Sequence, residues 1–290
     1  MTKVKLGLIQ MKMQDDAEIN LKRTIEKIEK LAANGAQIIC TSELFLSPYF
    51  CQTKDKKFFD LAEKIPGLTT DIFCDIAKKL KVVIVGSFYE NSNGRLFNTA
   101  AVIDADGTFL GKYRKMHIPA DEMNGYMEDY YFEPGDMGFK VFKTKFGVIA
   151  PMICYDQWFP EGARLAALQG AQILVYPTAI GWPMAKRSDK KHIDKVENDS
   201  WVTIQRSHGI ANNVFVAAIN RVGAESGLKF WGTSFVSDPY GEILKKGSSS
   251  AEQNLIAEID LDRIEYRKRE WPFLNERRTE IVVCDKTAKR

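Results

Sequence analysis

Apolar and polar residues alternate over residues 4–10, which predicts a strand with one face buried. From residue 15 to 33 the period lengthens: Ile19, Leu21, Ile25, Ile28 and Leu31 fall near helical spacing, so a helix follows. Gly35 ends it as a C-cap glycine, and the apolar run Ile38-Ile39-Cys40 predicts a short buried strand stopping at Thr41-Ser42-Glu43. A second helix is expected over 70–80, a strand over 82–89, and a polar turn over 91–94. Residues 98–104 and 108–113, joined at Asp106-Gly107, have the pattern of a hairpin that delivers Arg114-Lys115-Met116-His117. A polar, Met- and Tyr-rich loop then occupies 120–138.

The second half begins with a strand pair over 139–143 and 146–153. Its apolar run stops at Cys154, and Pro160 and Glu161 suit the first turn of a helix continuing to Gln169, so the segment reads as strand, elbow, helix. Leu165-Ala166-Ala167-Leu168-Gln169-Gly170-Ala171-Gln172-Ile173-Leu174 repeats the earlier Leu31-Ala32-Ala33-Asn34-Gly35-Ala36-Gln37-Ile38-Ile39. Two helix-to-strand junctions of one pattern suggest two similar βα halves, with a chance match as the plainer alternative. A helix over 201–212, a strand over 214–221 and a hairpin over 232–245 turning at Asp238-Pro239-Tyr240-Gly241 complete the pattern. The tail from Asp260 onward is charged, with Tyr266, Trp271 and Phe273 interrupting, a composition that suits packing on a partner subunit or a solvated extension. Strands alternating with helices, and hairpins among them, imply an α/β protein with mixed sheets, packed face to face with helices outside.

Composition narrows the classes rather than naming one. Hydrophobic residues make up 45% of the 290 and charged residues 27%, enough apolar side chain for a large core. The net charge of +3 is small and basic residues are interspersed with acidic ones, so neither a nucleic-acid nor a membrane partner is supported. With no signal-like apolar run at the N-terminus and no stretch approaching a membrane span, a cytoplasmic location is expected. Five cysteines at irregular spacing and three distant histidines suggest neither a disulfide framework nor a metal site.

Three chemistry-bearing groups end strands in comparable ways: Glu43, Lys115 and Cys154. A glutamate can cap a turn, a lysine can be surface, a cysteine can be core; together the three invite another reading. A thiol at an elbow near a helix start is expected to have a lowered pKa. The segments Thr41-Ser42-Glu43-Leu44-Phe45, Tyr113-Arg114-Lys115-Met116-His117 and Cys154-Tyr155-Asp156-Gln157-Trp158-Phe159-Pro160-Glu161 resemble the Glu-Lys-Cys motifs of the nitrilase superfamily of carbon–nitrogen hydrolases. The likeness continues through Gly170–Ala179 as Gly-Ala-Gln-Ile-Leu-Val-Tyr-Pro-Thr-Ala and through Asn220-Arg221-Val222-Gly223, and so covers nearly the whole chain.

The resemblance implies an αββα sandwich, one domain over 1–290, pairing with a second copy, with the tail from about 260 at the subunit interface. It implies Cys154 as nucleophile, Glu43 as base, Lys115 as the cation for the oxyanion, and neither metal nor organic cofactor. Poor electrophiles such as amide and ureido carbons need such a set. A second glutamate is expected at Glu128, with Glu133 or Asp129 as weaker candidates. Within the superfamily the chain is most similar to N-carbamoylputrescine amidases. That likeness implies a small carbamoyl substrate cleaved to amine, carbon dioxide and ammonia through a carbamoyl or acyl thioester. It departs from them after Thr178-Ala179-Ile180-Gly181, where a glutamate gives way to Trp182. Tyr155, Trp182, Asp121 and Glu122 are then the substrate-binding candidates, Trp182 through its ring face and the two acids through charge. Lys186 and Arg187 could instead hold a carboxylate, which would favour an N-carbamoyl amino acid such as N-carbamoyl-β-alanine or a dicarboxylate monoamide. A catalytically silent interaction protein of the same fold is the alternative of a different class.

Overall fold

The computed structural model describes residues 2–184 and 190–279. The chain opens with β1 (Lys3–Gln10), crosses through α1 (Ala17–Ala33) and returns in β2 (Ile38–Cys40), parallel to β1. Then α2 (Leu68–Leu80) leads into β3 (Val83–Ser92), β4 (Arg95–Ile103) and β5 (Phe109–Arg114). A small ribbon of β6 (Ala120–Asp121) and β7 (Tyr126–Met127) precedes the second half. There β8 (Phe142–Thr144) pairs with β9 (Gly147–Pro151), α3 (Pro160–Leu168) crosses over, and β10 (Ile173–Thr178) lies parallel to β9. After β11 (Gly181–Pro183) come α4 (Lys190–Asn212), β12 (Phe215–Asn220), β13 (Val222–Glu225) and β14 (Leu228–Trp231). The described chain closes with β15 (Phe235–Ser237), β16 (Ile243–Lys246), β17 (Gln253–Asp260) and α5 (Asp262–Glu270).

Two six-stranded sheets result, ordered β17-β1-β2-β3-β4-β5 and β16-β15-β12-β10-β9-β8. Alternation along the strands decides which face goes where. Ile38 and Cys40 of β2 join Ile173 and Val175 of β10 in one apolar cluster between the sheets. Ile39 turns outward to pack with Ile28, Leu31 and Phe73 of α1 and α2, while Leu174 and Tyr176 pack outward with Ala163 and Ala166 of α3. This is an αββα sandwich. The two junctions with matching sequence are equivalent: β1-α1-β2 and β9-α3-β10 each run parallel, and their helices end at Gly35 (φ +86°) and Gly170 (φ +93°), a left-handed conformation that glycine adopts without strain.

Several elements differ from the sequence reading, the hairpin β13–β14 and the ribbon β6–β7 among them. The helix expected over 201–212 starts at Lys190; its first turns are polar and charged, so they carry no apolar period, while Trp201, Val202 and Gln205 are buried. The strand β17 pairs with β1 along its length, from Lys3 opposite Asp260 to Gln10 opposite Gln253, and its Leu255, Ala257 and Ile259 alternate inward, a pattern the sequence reading did not use. The tail begins as α5, whose Ile264 enters the core between the sheets. Residues 280–290, Cys284 among them, lie outside the described residues. Among the described residues no helix is long and apolar enough to cross a membrane.

Candidate active site

The sheet topology brings the C-terminal ends of β2, β5, β9 and β10 together. Glu43 follows β2, and its N–H reaches Thr178 O at the end of β10 (3.4 Å). Its segment is held from beneath by Arg221, fully buried after β12, whose guanidinium donates to Glu43 O (2.6 Å), Leu44 O (3.1 Å) and Ser47 O (3.2 Å) and pairs with Glu225 (2.8 Å). Lys115, the first residue after β5, donates its N–H to Asn98 O (2.8 Å) and accepts from Gly135 N (2.8 Å). A side chain at Gly135 would meet Arg114 O at 2.2 Å, so that approach requires glycine.

The elbow is tighter than expected. After β9 ends at Pro151, Cys154 opens a 3-10 turn spanning Cys154–Trp158, and α3 begins at Pro160, where the sequence places it. Cys154 takes φ +44°, which for a residue with a Cβ stores about 1–3 kcal/mol of strain. Buried Asp156 holds the turn in place, accepting from Ile153 N (2.9 Å), Tyr113 OH (2.7 Å) and His117 N (3.0 Å), and so ties the cysteine's turn to both flanks of Lys115. The expected helix-start stabilisation of a thiolate is absent. Cys154 is 5% exposed; burial first, then the charge of Glu43, push its thiol well above the ordinary value, and Lys115 and the Ala179 N–H oppose only in part. The resting group is a neutral thiol, which makes a base necessary.

Glu43, Lys115 and Glu128 are fully buried together: Lys115 Nζ lies 2.9 Å from Glu43 Oε1 and 2.6 Å from Glu128 Oε2. Burial works against the Lys115 ammonium, but the Glu128 and Glu43 charges outweigh it and hold it well above its usual value, so it stays a cation. Burial raises Glu128 to about 7, with Lys115 opposing and Glu43 adding to the rise. Glu128 Oε1 also accepts from Tyr49 OH (2.7 Å), and Glu43 Oε1 from Asn98 Nδ2 (2.7 Å). Among the described residues Glu43 Oε2 is buried without a hydrogen-bond partner. The weaker candidates lie elsewhere: Glu133 pairs with Arg95 (2.8 Å) at the surface, and Asp129 is exposed.

A cavity of about 290 Å³ opens above the cluster, and Cys154, Glu128, Tyr155, Asp121, Tyr126 and Glu197 are among its lining residues. Tyr155 and Asp121 are therefore where the sequence reading put them. Two other candidates need correction. Trp182 does not line the cavity: its ring packs on Trp231 (centroids 5.2 Å apart) and its Nε1 donates to Asp194 O (2.9 Å). The Glu122 side chain is 77% exposed and pairs with Lys54 (3.6 Å), turned away because β6 and β7 point its neighbour Asp121 inward. Lys186 and Arg187 lie outside the described residues. The sequence reading did not find Glu197, in the polar start of α4, or Asn98 and Tyr49, which reach the carboxylates. Only Asn98 left a trace, an amide set in the apolar run of a hairpin strand.

A two-sheet sandwich whose strand ends gather a thiol, an ammonium and two carboxylates under a small cavity defines a cysteine-dependent hydrolase of small molecules. The carbon–nitrogen hydrolase family model matches residues 5–269. The chain belongs to that family, within the nitrilase superfamily, and acts on carbon–nitrogen bonds other than peptide bonds. It is similar to the N-carbamoylputrescine amidase of Solanum lycopersicum, 41% identical with 96% of this chain and 93% of the relative covered. The citrullinase of Francisella tularensis is 37% identical, covering 97% of each chain. The crystal structure of a carbon–nitrogen hydrolase from Helicobacter pylori G27 has the same fold, with a TM-score of 0.90, 39% identity and 96% and 97% of the two chains covered.

Proposed function

We propose that this chain hydrolyses an N-carbamoyl amine with a cationic tail, N-carbamoylputrescine in the first place. The observation that carries this is the lining of the cavity: beyond Cys154 and Glu128 it includes the carboxylate of Asp121, and none of its described lining residues is lysine or arginine. Such a lining suits an ammonium and leaves an anionic tail without a partner among the described residues. The names of the plant relatives support the same substrate.

In this reading Glu43 Oε2 takes the Cys154 proton as Sγ attacks the carbamoyl carbon. The oxyanion forms beside Lys115 Nζ and the backbone N–H that follows Cys154. Glu43 returns the proton to the leaving nitrogen, the C–N bond breaks, and a carbamoyl thioester remains on Cys154. Water, deprotonated by Glu43, then releases the thiol and carbamic acid, which falls to carbon dioxide and ammonia. Lys115 is held as a cation throughout, so it stabilises charge rather than moving protons, an effect worth about 3–4 kcal/mol for one donor.

Ammonia release from N-carbamoylputrescine, N-carbamoyl-β-alanine, citrulline and a dicarboxylate monoamide, each offered to wild type and Cys154→Ala, tests the proposal. The expected result is turnover of the first substrate at least about tenfold ahead of the anionic ones and none in the variant. Turnover of an anionic substrate alone would overturn the cationic tail. Turnover of none would remove this substrate class and leave the hydrolysis of some other carbon–nitrogen bond. We place the protein in a reducing compartment such as the cytoplasm, since Cys40, Cys51, Cys74 and Cys154 are free thiols. We also propose a homodimer or higher homo-oligomer, since Leu165 and Leu168 of α3 stand 46% and 47% exposed; a monomer in sedimentation would contradict this.

A further inference from the structure

We infer that Asn98 is a positioning residue that makes Glu43, and not Glu128, the base. The inference rests on the reading of Glu43 as the group that takes the Cys154 proton. Both Glu128 oxygens are engaged, Oε1 by Tyr49 OH (2.7 Å) and Oε2 by Lys115 Nζ (2.6 Å). Glu43 differs because Asn98 Nδ2 (2.7 Å) and Lys115 Nζ (2.9 Å) converge on one oxygen, Oε1. Oε2 is thereby left buried and without a partner among the described residues, the one carboxylate oxygen of the cluster open to a new donor. A carboxylate normally rotates to share its donors between both oxygens; two donors on one side fix its plane. An amide does this without adding charge, where a second cation would lower the basicity that the step requires.

Asn98 is well placed for the task. It lies on β4, fully buried, and its carbonyl accepts the Lys115 N–H (2.8 Å), so one residue sets the position of the lysine through its backbone and of the glutamate through its side chain. Two different groups of Asn98 thus act on the two residues that must stay in register.

The test is the rate of Cys154 alkylation by iodoacetamide against pH, in wild type, Glu43→Gln, Asn98→Ala and the isosteric Asn98→Asp. Alkylation needs no substrate recognition, so it reads the base whatever the natural substrate is. A donor to a carboxylate favours its charged form; losing it raises the carboxyl's pKa. The acid limb should therefore move to higher pH by about one unit in Asn98→Ala, with about tenfold slower labelling below the limb. In Asn98→Asp a like charge faces Glu43, so the limb should move further in the same direction. Both variants labelling with the wild-type limb would overturn the role of Asn98, even if their rates fell uniformly. Glu43→Gln labelling with the wild-type profile would overturn the base assignment on which it rests. Should Asn98→Ala fail to fold, Asn98→Asp, which keeps the shape, decides alone.

Discussion

At the scale of single residues, the chemistry is a matter of which proton sits where. Lys115 between two carboxylates keeps its charge, and burial leaves Cys154 protonated, so the cluster at rest holds a thiol beside an unoccupied carboxylate oxygen. Burial pushes the Glu128 carboxyl up to about 7. Tyr49 OH favours its charged form, so Tyr49→Phe should raise that value, and the acid limb of kcat/KM should move to higher pH while the alkaline side stays put. A pH–rate series checks this; a limb moving downward would contradict the link between Tyr49 and Glu128. Glu43, Lys115 and Cys154 were legible as strand-end residues of the right types. The direction of the thiol's shift was not, because the depth of burial at the elbow is not visible in the sequence, and burial outweighed the charges nearby.

Single elements hold that cluster in place. Arg221 clamps the Glu43 segment by three backbone carbonyls, and its partner Glu225 accepts from Tyr49 N (2.6 Å), so one buried ion pair supports the residues behind both carboxylates. Arg221→Met would leave Glu225 buried without its cation, and should cost about 3–5 kcal/mol in denaturant unfolding together with most of the activity. An unfolding midpoint like that of wild type would remove Arg221 from this role. The junctions α1–β2 and α3–β10 could be read from sequence because a helical period, a glycine and an apolar run each speak locally. The edge strand β17 could not be placed, since its partner β1 lies far along the chain; the hairpin β13–β14, whose strands are neighbours in the chain, was missed because each is only four residues long.

Over the whole molecule, two sheets with outer helices place the ends of four strands at one site. Two sheets packed face to face were foreseen from strands alternating with helices and hairpins, and the repeated junction suggested the two similar halves. The cavity was foreseen only in part. Asp121 and Tyr155 line it, but Trp182 packs on Trp231 and Glu122 faces outward, because loop direction is not written in residue type. Glu197 enters from the start of α4, far from the motifs in sequence.

The central claim is that a carbamoyl group passes through Cys154. Its most direct test is the intact mass of enzyme quenched early in turnover of N-carbamoylputrescine, followed by peptide mapping. A mass gain of one carbamoyl group on the peptide holding Cys154, absent from Cys154→Ala, is the result expected. Undiminished turnover by Cys154→Ala, or the adduct mapped to another residue, would contradict the account.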